Sequence, residues 1–96
     1  MPKKVVVWPE YLTSNLTRRE GRKVPKELAV RSVRPELLLK ACESLRIRCE
    51  VEEGKNYPRA GVRSYGFRLI AEVGEEVSKY SLIKKIAYEL RQLSSQ

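Results

Sequence analysis

Between Trp8 and Pro25 the chain places Trp8, Tyr11, Arg18, Arg19, Arg22 and Lys23 in a run with neither helical nor strand periodicity, and Lys26 follows at once. A second, shorter run, Lys55-Asn56-Tyr57-Pro58-Arg59, continues to Arg63 and again sets cations beside an aromatic ring. Guanidinium forks match phosphate oxygens and guanine edges. An aromatic ring can stack on a base or pack against a nucleic-acid backbone. Aperiodic segments as long as the first run are uncommon in small proteins and are usually functional or disordered. Gly21 frees the backbone in the middle of it. A phosphate-rich partner suits both runs, and RNA is the first candidate.

Other chemistry is poorly supplied. The chain has no His, and all twelve of its acidic residues are Glu. Acid–base catalysis near neutral pH then needs a tuned Glu or Lys, and the Glu residues fall mostly on wet faces of predicted elements. Neither GxxxxGK[ST] nor GxGxxG occurs. Cys42 and Cys49 form no CxxC pair, and no His can complete a zinc set. Both fall at core positions, as buried free thiols of a reducing compartment. No enzyme, cofactor or metal site is expected. The apolar run Val5 to Trp8 is too short for a signal peptide. No transmembrane stretch is seen, so the expected location is the cytoplasm.

Ninety-six residues, 42% of them hydrophobic, suit a single domain, 1–96, with one modest core. The formal charge is +8, and it is uneven. Residues 1–35 hold nine Lys and Arg against three Glu, whereas residues 36–96 hold eleven against nine. The excess thus belongs to the third of the chain that carries the long basic run. Concentrated positive charge implies a polyanionic partner and salt-sensitive association.

The elements that must position these loops follow from spacing. Lys3 to Trp8 is β-branched and aromatic and reads as a strand, stopped by Pro9, which cannot donate to a ladder. Pro35 opens a helix over 35–46, with Leu38, Ala41, Cys42 and Leu45 on one stripe. Ile47, Cys49 and Val51 alternate with Arg48, Glu50 and Glu52 as a half-buried second strand. Gly54 to Gly61 is turn chemistry. Tyr65, Phe67, Leu69, Ala71 and Val73 form the inner face of a third strand ending at Gly74. Ser78 or Ser81 caps a second helix whose stripe is Leu82, Ile83, Ile86, Ala87, Leu90 and Leu93. The predicted class is α+β, in the order β-α-β-β-α. A three-stranded antiparallel sheet carries two helices packed on one face, with strand three between the other two. The ends of strands one and two then share one edge of the sheet, so the two basic aromatic loops lie side by side.

Arg63-Ser64-Tyr65-Gly66-Phe67-Arg68-Leu69-Ile70 partly matches the RRM signature. That fold stacks bases on the open face of a four-stranded sheet. Only Ser94, Ser95 and Gln96 follow the second helical stripe, and Tyr65 and Phe67 share the parity of core residues. An RRM-like or other small basic RNA-binding module remains one alternative. A basic protein-interaction module is another, using Lys79 to Arg91 against an acidic partner or membrane surface, although the stripe of that helix is needed by the core.

Trp8-Pro9-x-Tyr11-Leu12, Glu20-Gly21-Arg22-Lys23-Val24-Pro25, Ala29-Val30 and Tyr57-Pro58-Arg59 together resemble the nineteen-kilodalton RNA-binding subunit of the signal recognition particle, in its short archaeal form. The resemblance spans the chain and implies a β-α-β-β-α protein that binds the particle's RNA. It would clamp the tips of two neighbouring hairpins, helices six and eight, and prepare the RNA for the signal-sequence-binding GTPase subunit, reached through the RNA. The implied contacts fall on Tyr11, Arg22 and Lys23 in the first loop and on Tyr57 and Arg59 in the second. Charge and position add Arg18, Arg19 and Lys26. Ser14-Asn15-Leu16 stands where the family often has a Lys pair, and Ala60-Gly61-Val62 where it often has a Trp. A monomer without a membrane partner is expected.

Overall fold

The computed structural model describes residues 2–13, 19, 22–31, 33–57 and 65–94. Strand β1 (Lys3–Val7) is followed by a 3-10 turn (Pro9–Tyr11), helix α1 (Pro35–Ser44), strands β2 (Arg48–Glu53) and β3 (Phe67–Val73), and helix α2 (Lys79–Ser94). The three strands form one antiparallel sheet in the order β1-β3-β2. Its registers run from Lys3↔Val73 to Val7↔Leu69 and from Arg48↔Glu72 to Glu53↔Phe67. The β-α-β-β-α order and the central third strand are as the sequence predicts.

The core lies between sheet and helices. Val5 and Val7 of β1 and Phe67, Leu69, Ala71 and Val73 of β3 are buried at alternate positions, as the pleat requires. Leu38, Ala41 and Cys42 of α1 meet Leu82, Ile83, Ile86, Ala87 and Leu90 of α2 in the same cluster. Phe67 is therefore a core residue at 6% exposure, not a stacking platform, which removes the ground for an RRM reading of β3.

Element ends differ from the sequence reading by one to three residues, for identifiable reasons. Strand β1 stops at Val7, because Trp8 is already the extended residue that leads into the 3-10 turn. Arg34 is extended, at φ −114° and ψ 145°, as the residue before proline must be, and Pro35 opens α1. The helix stops at Ser44 rather than 46 because Arg46 turns left-handed, at φ 58°. Arg46 N–H donates to Glu43 O at 3.0 Å and Ile47 N–H to Cys42 O at 2.8 Å, the paired bonds of a Schellman stop. Strand β2 consequently begins at Arg48 rather than Ile47. Of the two capping candidates before α2, Ser78 serves: its Oγ accepts the Ser81 N–H at 3.1 Å.

The first long segment is not structureless throughout, contrary to its lack of periodicity. Its base belongs to the core: Pro9, Glu10, Tyr11, Leu12 and Thr13 are buried, as are Val24, Ala29, Val30 and Val33 on its return. Thr13 and Val30 form a parallel bridge, and Val30 N–H donates to Leu12 O at 2.9 Å. Lys23 N–H donates to Tyr11 O at 2.8 Å. A turn over Pro25 to Leu28 follows, held by Leu28 N–H to Pro25 O at 2.9 Å. Aperiodic sequence here hides local backbone pairing that only the returning chain can supply.

Candidate nucleic-acid interface

Among the described residues, the bases of the two loops meet at one end of the sheet, as the strand directions require. Tyr57, beyond the end of β2, packs against the first loop twice. Its ring centroid lies 5.7 Å from that of Trp8 at 62°, and 5.9 Å from that of Tyr11 at 89°. Both are edge-to-face geometries, the favoured arrangement for such pairs. Below them the neck of the second loop is closed by Gly54 N–H donating to Gly66 O at 2.9 Å. Both glycines hold positive φ, 75° and 85°, which a β-carbon would strain.

Tyr11 gathers charge. Its ring is buried to 7% exposure, and its hydroxyl accepts a hydrogen bond from Lys79 Nζ at 3.3 Å. Lys79 Nζ lies 5.1 Å and Lys23 Nζ 5.6 Å from the ring centroid. Each such cation–π contact contributes about 0.5–1 kcal/mol at an exposed site, enough to orient a lysine head without removing it from water. Two exposed ammonium groups are thus held around one ring. With so little of the ring exposed, Tyr11 cannot offer a base a stacking face. What it presents is its hydroxyl edge and the cations it holds.

The remaining predicted site residues divide. Arg22 is half-buried and its Nε donates to Val24 O at 2.8 Å, which aims the guanidinium from the return of the loop. Arg19 and Lys26 are exposed, Lys26 on the turn after Pro25. Tyr57 is half-buried between Trp8 and Tyr11. Arg18 and Arg59 lie outside the described residues, as do Ser14-Asn15-Leu16 and Ala60-Gly61-Val62. On the other face of the sheet Arg68 sits over the Trp8 ring at 5.6 Å and pairs with Glu52. That half-exposed ion pair contributes little to stability. Arg91 of α2 donates to Ala29 O at 3.0 Å and ties the end of the first segment to the helix.

The sequence did not bring Lys79, Glu10, Thr13 or Tyr65 to the base of the loops. Lys79 reads as one more solvated lysine off the α2 stripe, and only the fold brings it to Tyr11. Glu10 did leave a signal, as an acid among Trp8, Pro9, Tyr11 and Leu12. It is wholly buried, and its Oε2 accepts the Tyr65 N–H at 2.9 Å. The Tyr65 hydroxyl donates to Thr13 Oγ1 at 3.2 Å.

Among the described residues no cluster of His, Cys, Asp and Glu is built to hold a metal ion, and no helix is long and apolar enough to cross a membrane. Cys42 is buried, Cys49 half-buried, and both are free thiols. Their side chains hydrogen-bond to each other; that bond and burial push the Cys49 thiol well above its ordinary range. The exposed face of α2 carries Tyr80, Lys84, Lys85 and Tyr88, while its apolar stripe is spent in the core.

Comparisons with known proteins place the whole chain. The family model described as SRP19 protein matches residues 6–93. The signal recognition particle 19 kDa protein of Aeropyrum pernix is 37% identical over 93 residues, covering 97% of this chain and 81% of that protein. A solved SRP19 structure from Pyrococcus furiosus, one of two proteins described as assembling the ribonucleic core of the signal recognition particle, superposes with TM-score 0.74 at 33% identity. It covers 96% of this chain and 91% of its own. An SRP19 crystallised with the S domain of signal recognition particle RNA superposes with TM-score 0.76 at 34% identity, over 90% of this chain and 95% of that one. A family match across nearly the whole chain, with solved SRP19 structures that superpose on its fold, places this protein in the SRP19 family.

Proposed function

We propose that this chain binds signal recognition particle RNA as a non-catalytic, single-domain monomer in the cytoplasm. It clamps the tips of two adjacent hairpins, helices six and eight, and so readies the RNA for the signal-sequence-binding GTPase subunit of the particle. The observation that supports this most is Tyr57, which packs on both Trp8 and Tyr11 and so brings two cation-bearing loops to one edge. Arg22, Lys23 and Lys79 meet phosphates or guanine edges beside Tyr11, with Arg19 and Lys26 further along the first loop. Arg18 and Arg59 join them from sequence and family resemblance. Each hairpin alone then binds weakly. An RNA carrying both binds about a hundredfold or more tightly, because the second contact becomes intramolecular. Titration against each isolated hairpin and against the joined pair, at one fixed salt, tests this. Equal affinity for one hairpin and for the pair would rule out the clamp.

A further inference from the structure

Glu10 is an expensive residue to bury. Its side chain is fully enclosed, and among the described residues Oε1 has no hydrogen-bond partner. Burying a polar group that is only half matched disfavours the fold, and an apolar residue of similar size generally serves stability as well or better. Among the contacts of the described residues, stability alone therefore does not account for an acid at this position. What the carboxylate does achieve is to locate one distant atom. Oε2 accepts the N–H of Tyr65, fifty-five residues away, where the chain returns from the second loop.

Tyr65 is held at its other end as well. Its hydroxyl donates to Thr13 Oγ1 at 3.2 Å, and Thr13 is itself buried and bridged to Val30. Its ring sits 6.2 Å from that of Phe67, the first residue of β3. One residue thus spans, through its backbone N–H and its hydroxyl, from the 3-10 turn that opens the first loop to the bridge that closes its base. Its own backbone belongs to the stem of the second loop. The ring contacts of Tyr57 with Trp8 and Tyr11 are non-directional by comparison. The two hydrogen bonds to Tyr65 are directional.

We infer that Glu10 and Tyr65 are positioning residues that set the spacing of the two loops, and so carry the coupling between the two hairpin contacts. This rests on the clamp reading given above. Avidity from two contacts on one RNA depends on both fitting at once, and it is lost when the geometry is wrong although each contact survives. A preorganised pair of loops avoids ordering costs at the moment of binding. Slackening the brace therefore lowers affinity for an RNA with both hairpins more than affinity for either one. A residue that merely supports the fold lowers all of them in step.

The test uses the full chain with E10M, E10Q and Y65F, titrated against each hairpin alone and against the joined RNA at one salt. Urea unfolding is measured in parallel. E10M removes the acceptor, and E10Q keeps one. Y65F removes only the hydroxyl that reaches Thr13, so it remains folded if E10M does not. E10M and Y65F are expected to lower the ratio of joined to single-hairpin affinity by about tenfold, with single-hairpin affinities near wild type. E10Q is expected to keep the ratio. A wild-type ratio in both E10M and Y65F overturns the brace, even where urea midpoints fall. Equal affinities for single and joined RNA in the wild-type protein would instead overturn the clamp, and the brace with it.

Discussion

Tyr11 shows how one nearly enclosed ring can gather cations from two distant parts of the chain. Its ring is nearly enclosed, yet Lys23 and Lys79 stand over it with their ammonium groups at the surface. Lys79 thereby stands beside Lys23, where neither its place at the start of a helix nor its neighbours in sequence would put it. Each phosphate contact removed lowers the log–log salt slope of RNA binding by about 0.7 to 0.9. The double variant R22A/K23A is expected to lose about two such steps and K79A about one, each with a native circular dichroism spectrum. An unchanged slope in K79A would show that the lysine only packs on the ring.

At the level of elements, stop signals explain the differences between expected and observed ends. Helix α1 closes with the bonds of a Schellman motif, but the left-handed position is Arg46 rather than Gly. A non-glycine residue there costs roughly 1–2 kcal/mol relative to an unstrained conformation. Replacing it with Gly relieves that strain but loosens the unfolded chain, an offset of about 0.5–1 kcal/mol. R46G is therefore expected to stabilise the protein by about 0.5–1 kcal/mol, read as a higher urea midpoint at unchanged m-value. A lower midpoint would mean that Arg46 makes a compensating contact. RNA affinity should not move, because Arg46 precedes β2 and so lies at the other end of that strand from the second loop.

For the whole molecule, the question is which basic surface faces RNA. Net charge alone does not decide, since Lys84 and Lys85 on α2 are as exposed as Lys23. The loop edge has aromatic contacts joining its two parts, whereas the α2 face holds Tyr80 and Tyr88 in the open, at 49% and 55% exposure. K84A/K85A removes as many charges as R22A/K23A, so general attraction to a polyanion is matched between the two. The helix pair is expected to leave RNA affinity and salt slope close to wild type while the loop pair lowers both. The reverse result would move the interface to α2 and favour the basic-helix reading.

The order of elements, the inner faces of β1 and β3, the α2 stripe and the meeting of two basic aromatic loops were legible in the chain. These rest on local rules: period two for strands, period 3.6 for helices, and proline and serine at starts. Strand direction then follows from connectivity. The Trp8-Pro9-x-Tyr11-Leu12 and Glu20-to-Pro25 runs pointed to the family for the same reason, since contiguous residues suffice to carry a motif. Local rules could not reach the Thr13 bridge to Val30, the lysine on Tyr11 from sixty-eight residues away, or the burial of Glu10 against Tyr65. Each joins groups far apart in the chain. A charged side chain reads the same in sequence whether it faces water or a backbone N–H, and only packing brings the partner within hydrogen-bonding distance.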